Sequence, residues 1–283
     1  MRLDDQSPQA IRLADYMPPA FSIDTVELRF GLDPATTYVT NRMRLRRHEG
    51  RRGEPLVLHG EHLTLESLTL DGRALGPSDY LLEERQLTLD ELPDRCELEI
   101  VTTCSPQANT ALEGLYQSSG NFCTQCEPEG FRRITYFLDR PDAMATFSTT
   151  IVADAERYPV LLSNGNPVEA GTLDDGRHWV RWDDPFAKPC YLFALVAGDL
   201  ACHEATFTTR SNRAVTLRIY TEHHNAGKTD HAMRSLEKAM RWDEDTFGLE
   251  YDLDLFQIVS VDDFNMGAME NKGLNVFNSK LVL

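Results

Sequence analysis

The chain has 283 residues, 41% of them hydrophobic, with 28 basic side chains against 45 acidic ones and a formal charge of -17. That length holds about two domains with buried cores, the acidic field disfavours a nucleic-acid partner, and the longest strongly apolar run, residues 191–198, falls far short of the ~20 residues of a membrane helix. The opening Met1-Arg2-Leu3-Asp4-Asp5-Gln6-Ser7-Pro8 has no apolar export segment and six cysteines are too sparse for a disulfide scaffold, so a soluble cytoplasmic protein with reduced thiols is expected.

Up to residue 199 the dominant hydrophobic period is two. Val39, Asn41, Met43 and Leu45 alternate with Thr40, Arg42, Arg44 and Arg46, as in a strand with one buried face. Leu63, Leu65 and Leu68 to Leu70 run into Asp71-Gly72, a hairpin turn. Leu87-Thr88-Leu89 and Leu98-Glu99-Ile100 follow at the short spacings of antiparallel sandwiches. Turn signals recur at Ser163-Asn164-Gly165-Asn166-Pro167 and at Asp174-Asp175-Gly176. Tyr191-Leu192-Phe193-Ala194-Leu195-Val196-Ala197 reads as a strand buried on both faces.

After Asp199 the texture changes. Residues 205–208 and 214–220 read as two more strands. Ala232, Met233, Leu236, Ala239, Met240 and Phe247 then fall on one helical face, with Gly248 as the residue that ends the helix. Phe256-Gln257-Ile258-Val259-Ser260-Val261 and residues 274–277 are further strands around a glycine-containing loop. The last residues, Lys280-Leu281-Val282-Leu283, are apolar and strand-like with no polar tail, which suggests a boundary cut inside a second domain. The expected organisation is a β-domain over residues 1–199 and the opening of another domain over 200–283.

Most clusters of polar residues have ordinary readings. Arg42, Arg44, Arg46, Arg47, Arg51 and Arg52 suit the solvated face of a strand better than an anion site. Cys123-Thr124-Gln125-Cys126 has metal-like spacing but no second tight pair, and Cys96 and Cys104 do not provide one. His223, His224 and His231 lack a carboxylate at helical spacing and read as helix-entry residues, and no H-E-x-x-H occurs. Two acidic spots remain. Gln125, Glu127 and Glu129 sit beside a Pro and a Gly. In Phe264-Asn265-Met266-Gly267-Ala268-Met269-Glu270-Asn271-Lys272-Gly273, glycines flank a Glu-Asn pair, where a backbone can approach a ligand closely or simply bulge.

Gly267-Ala268-Met269-Glu270-Asn271 resembles the exopeptidase signature of the aminopeptidase N family, the zinc-dependent gluzincin aminopeptidases. Residues 123–133, and Asp139-Arg140-Pro141-Asp142 after them, resemble that family's substrate-anchoring loop, closest to its bacterial alanyl aminopeptidase branch. The resemblance implies a mainly β fold: a saddle-shaped N-terminal β-sandwich, then the start of a thermolysin-like α/β catalytic domain. It implies that Glu270 and Glu127 hold the α-ammonium of a peptide with Gln125 assisting. Gly267 and Ala268 would offer backbone groups, Met266 would line the first side-chain pocket, and Met269 and Asn271 complete the motif. Peptides with a free N-terminus are the implied partners, for a monomer that engages neither nucleic acid nor membrane. Zn(2+) is the implied cofactor of the full-length enzyme. Its ligands, the general base and the transition-state tyrosine would all follow downstream, so residues 1–283 are expected to bind no zinc and to be inert alone. Two alternatives stay open: a non-catalytic β-rich interaction module of the same fold, and a glycosidase using Glu127 and Glu270 as its carboxylate pair.

Overall fold

A computed structural model describes residues 12–283. The opening stretch read as lacking an export signal lies outside the described residues. The largest sheet has eight strands, in the order Asn166–Thr172, Arg177–Pro189, Met144–Asp154, Phe21–Gly31, Thr37–Arg47, Arg95–Cys104, Thr64–Leu70 and Arg73–Ala74. Every pairing in it is antiparallel except that of Phe21–Gly31 with Met144–Asp154. The period-two reading holds along Thr37–Arg47: Val39, Asn41, Met43 and Leu45 are buried, whereas Arg42, Arg44 and Arg46 are exposed. The exposed arginines meet acids on neighbouring strands, Arg42 with Glu99 at 2.8 Å and Arg46 with Asp24 at 3.1 Å. Cross-strand pairing therefore accounts for those arginines. At Asp71 and Gly72 the φ angles are +48° and +80°, as the predicted tight hairpin requires.

A second sheet, Val160–Ser163, Leu195–Gly198, Asn121–Gln125 and Gly114–Ser118, is almost wholly buried. Together with a small sheet of Leu56–His59, Gln86–Leu89 and Leu81–Glu83 it covers the core. Phe131, Phe137, Phe147 and Phe193 pack there, with ring centroids 4.8 to 6.3 Å apart.

The last sheet is built only from residues after 200: Ala201–Thr208, Ala214–Thr221, Leu255–Val261, Leu274–Asn278 and, at its edge, Ala268–Met269. Ala214–Thr221 and Leu255–Val261 run parallel, and the helix Asp230–Phe247 makes the crossover between them. Gly248 ends that helix at φ +69°, as expected. Phe207, Val215, Leu217, Ile219, Met233, Met240 and Ile258 form its core. No helix among the described residues is long and apolar enough to cross a membrane.

Three local expectations are corrected. Only Leu195–Gly198 of the run at 191–197 is a strand, and Cys190–Leu192 is a 3-10 turn. The turn arises because side chains satisfy its backbone: the Leu192 carbonyl accepts from Asn164, and the Ala194 N–H donates to Asn164. Residues 279–282 form a short helix instead of a strand, started by Asn278, whose Oδ1 accepts from the Lys280 N–H at 3.1 Å. The buried stripe of the long helix passes through Met233, Met240 and Glu244, while Ala239 and Phe247 are exposed. Glu244 is buried because its carboxylate accepts from the Arg210 N–H at 3.2 Å and pairs with Arg241.

Candidate functional site

The first acidic spot begins inside the core. Gln125 ends a fully buried strand, so its side chain is held where the chain leaves the sheet. It is 1% exposed; its Nε2 donates to the Glu127 carbonyl at 3.3 Å, while its Oε1 has no hydrogen-bond partner. Glu127 is half-buried on the loop that follows. Only glycine fits where this loop closes: a Cβ at Gly130 would lie 2.3 Å from the Gln125 carbonyl oxygen. The Gly130 N–H donates back to the Cys126 carbonyl at 2.8 Å. Arg132 then straps the loop down, its Nε donating to Asp139 at 2.9 Å and its guanidinium pairing with Glu129 at 3.1 Å. The C-x-x-C pair is structural packing. Cys123 and Cys126 are fully buried, and burial pushes the Cys123 thiol up to about 12 and that of Cys126 well above its ordinary value.

The second spot is an edge. Ala268–Met269 pairs with Leu274–Asn278 on one side and is the last strand of its sheet. Alternation along this segment buries Met269 and exposes Glu270, then buries Asn271 again. The Asn271 Oδ1 has no hydrogen-bond partner, and its Nδ2 reaches only the Met269 carbonyl, at 3.4 Å. Met266 is 47% exposed, Gly267 is exposed, and Ala268 is half-buried. The Gly267 carbonyl accepts from the Asn278 N–H at 2.9 Å, which fixes the entry to the edge strand.

Asn164, which the sequence marks only as a turn residue, ties the two regions together. It is 3% exposed and its Nδ2 donates both to the Leu192 carbonyl at 3.0 Å and to the Lys272 carbonyl at 2.8 Å. Its Oδ1 accepts from the Ala194 N–H at 2.8 Å, and the next residue, Leu195, donates its N–H to Thr124 on the Gln125 strand at 2.8 Å. Lys272 is two residues beyond Glu270, so one amide connects both loops through backbone. Further links run from the Tyr116 hydroxyl to the Asp263 carbonyl at 3.3 Å and from Asn265 to the Leu112 carbonyl at 3.1 Å. Replacing Asn164 by Ala would leave the Ala194 N–H and two carbonyls unpaired in a buried place. A destabilisation of about 1–3 kcal/mol is expected, read as a lower denaturant midpoint at unchanged slope; an unchanged midpoint would deny Asn164 this role.

The histidines are placed less simply. His223 meets Asp199 at 2.9 Å, whereas His224 faces Glu222 and Asp262.

Comparison with known proteins gives one answer. The Peptidase M1 N-terminal domain model matches residues 56–192, and the Peptidase family M1 domain model matches residues 231–283. Aminopeptidase N of Caulobacter vibrioides is 53% identical over 283 residues, which is 100% of this chain and 32% of that protein. Aminopeptidase N of Escherichia coli is 54% identical over 278 residues, 98% of this chain and 32% of its own length. A crystal structure of Legionella pneumophila aminopeptidase A in complex with aspartic acid superposes with a TM-score of 0.90 at 36% identity, covering 95% of this chain and 32% of that one. The chain thus spans about a third of the length of the relatives it matches. Peptidase family M1 is generally zinc-dependent, but its H-E-x-x-H motif is not in this sequence. With two successive models of one family matched in order, and a mainly β fold that superposes on a solved relative, the chain belongs to peptidase family M1.

Proposed function

We propose that this chain is the amino-end-recognition part of a cytoplasmic, monomeric zinc-dependent aminopeptidase that removes N-terminal residues from peptides. The observation that carries the reading is the pairing of acceptors. Gln125 Oε1 and Asn271 Oδ1 are buried acceptors without partners, and each lies within two residues of a carboxylate, Glu127 or Glu270. Buried acceptors are normally satisfied, and an α-ammonium brings three N–H donors and a positive charge. A free chain end differs from an internal peptide by that one cation. Carboxylates that hold it measure the distance to the first peptide bond, so recognition and choice of bond follow from the same contact.

In this reading Glu127 and Glu270 bind the ammonium and Gln125 orients it. The Ala268–Met269 edge pairs with the extended peptide through the backbone of Gly267 and Ala268. Met266 lines the first side-chain pocket. Residues up to 199 form the N-terminal β-domain and residues 200–283 open the catalytic domain, a boundary supported by the last sheet using only residues after 200. The residues of this chain do not fit the family's zinc site, so hydrolysis is assigned to the full-length enzyme and the chain alone is expected to cleave nothing. The test is a pair of alanyl anilides, one free and one N-acetylated, given to the full-length enzyme. Only the free amine should be cleaved, because acetylation removes the cation and fills its place. Equal cleavage of the two would refute the exopeptidase reading.

A further inference from the structure

A cleft of about 630 Å³ is lined among others by Ser119, Asn121, Tyr158, Glu222, His224 and Asp262. Three of these residues offer metal-ligating atoms that all lie within 4.8 Å of one another: Glu222, His224 and Asp262. From the geometry we propose that Glu222, His224 and Asp262 form a binding site for a divalent transition cation of the zinc class, separate from the family's catalytic zinc.

The sheet explains why these residues meet. Glu222 directly follows the strand Ala214–Thr221 and Asp262 directly follows Leu255–Val261, and these two strands are parallel neighbours. Their carboxyl ends therefore open on one side, the place where ligands settle in α/β sheets. His224 lies in the 3-10 turn His223–Asn225, which folds it back over both strand ends.

The separations suit a small cation. His224 Nε2 is 3.6 Å from a Glu222 carboxylate oxygen and 3.5 Å from an Asp262 carboxylate oxygen. Ligands about 2.1 Å from a tetrahedral zinc ion stand about 3.4 Å from each other. Both separations are longer than an N–H···O hydrogen bond, which has its usual length near 2.9 Å. The two edges to His224 thus match a shared metal better than direct bonding, while Glu222 and Asp262 lie within hydrogen-bonding reach of each other.

A second observation points to a missing positive partner. Glu222 is only 9% exposed; its Oε2 faces His224, and its Oε1 is buried with no hydrogen-bond partner. Its neighbour Asp262 is another carboxylate within hydrogen-bonding reach, and two carboxylates in one place need a bridging proton or cation. The nearby cation Lys228 donates to Asn225 at 2.7 Å. One nitrogen and two carboxylate ligands leave a fourth position facing the cleft, a donor set that favours zinc, cobalt or nickel over calcium and magnesium. Linear spacing hides the site, because Asp262 follows a different strand from the one that precedes the other two. The expectation that this chain binds no zinc rested on that spacing.

The experiment titrates the metal-stripped full chain with zinc chloride by calorimetry, then with cobalt chloride by visible absorption, where tetrahedral cobalt gives intense bands. One zinc per chain is expected. His224→Ala and Asp262→Asn should each weaken binding at least about tenfold and abolish the cobalt bands. His223→Ala, which removes the neighbouring ring but none of the three ligands, should bind as the parent does, and so should a variant with Cys123 and Cys126 changed to Ser. Both His224 and Asp262 are at the surface, so these variants keep the fold, and circular dichroism checks that. No saturable zinc binding would overturn the site. So would binding that survives His224→Ala, or binding that is lost with the two cysteines.

Discussion

Replacing Glu270 by Gln in the full-length enzyme should lower kcat/KM for an alanyl anilide by roughly tenfold to a few hundredfold, since a hydrogen bond to a charged group contributes about 1.5–3 kcal/mol. Within this chain the side chain is exposed at the end of an edge strand, so the change removes no packing inside residues 12–283 and isolates the charge there. Gln keeps the shape and one acceptor oxygen but loses the negative charge, so Glu270→Gln should be nearly as damaging as Glu270→Ala. Part of the loss should fall on kcat, because an amine that drifts carries the scissile bond with it. Glu127→Gln should do the same to a similar degree. If both carboxylates hold one ammonium, the double variant should lose less than the product of the two single losses. A Glu270→Gln enzyme with parental kcat/KM would remove the amino-end clamp from the mechanism.

How much of this could be read beforehand depends on whether the signal is local. The strand of Val39, Asn41, Met43 and Leu45 was legible because one buried face imposes alternation directly on sequence. The long helix was legible for the same reason, but its exact stripe was not: Glu244 is buried through a backbone N–H from Arg210 on a remote turn, which hydropathy counts against it. The run at 191–197 misled because an apolar stretch looks alike in a strand and in a buried turn, and the deciding partner, Asn164, comes from elsewhere. Arg47 was read as a solvated charge, yet its guanidinium sits 4.2 Å over the Phe21 ring and donates to the Leu92 carbonyl. The two acidic loops were nearly mute as bare residues, since a bulge explains their glycines equally well. Only their likeness to a family motif singled them out. Glu222, His224 and Asp262 lay beyond reach because parallel strand pairing, which brings them together, leaves no fixed spacing.

The largest expected loss of stability comes from a buried ion pair that the sequence does not advertise. Asp184 and Lys188 lie on the long strand Arg177–Pro189, where the register to Met144–Asp154 shifts between Ala145 and Phe147. The shift lets the strand bow and turns both side chains inward, to 1% and 3% exposure, with Nζ 3.0 Å from the carboxylate. The ammonium also lies 4.0 Å from the centre of the Phe147 ring, in the aromatic core. Burial pushes the Lys188 amine down to about 8, with Asp184 opposing the shift. Removing Asp184 leaves a cation with no compensating carboxylate. Asp184→Ala should therefore cost about 3–5 kcal/mol, or roughly 6–20 °C in Tm for a unit of this size. Replacing both together, as Asp184→Leu with Lys188→Met, should cost little or even stabilise, because the expense lies in the unpaired charge and not in the lost attraction. The pH dependence has a definite sign. An amine whose folded value is depressed binds its proton less tightly in the native state, so its contribution to stability is greatest above the unfolded value. That contribution is lost as pH falls through about 8. The parent should accordingly gain stability relative to the doubly apolar variant between about pH 8 and pH 10, whatever the buried thiols and phenols common to both do over that range. An Asp184→Ala chain melting within a degree or two of the parent would show that the pair does not carry this load.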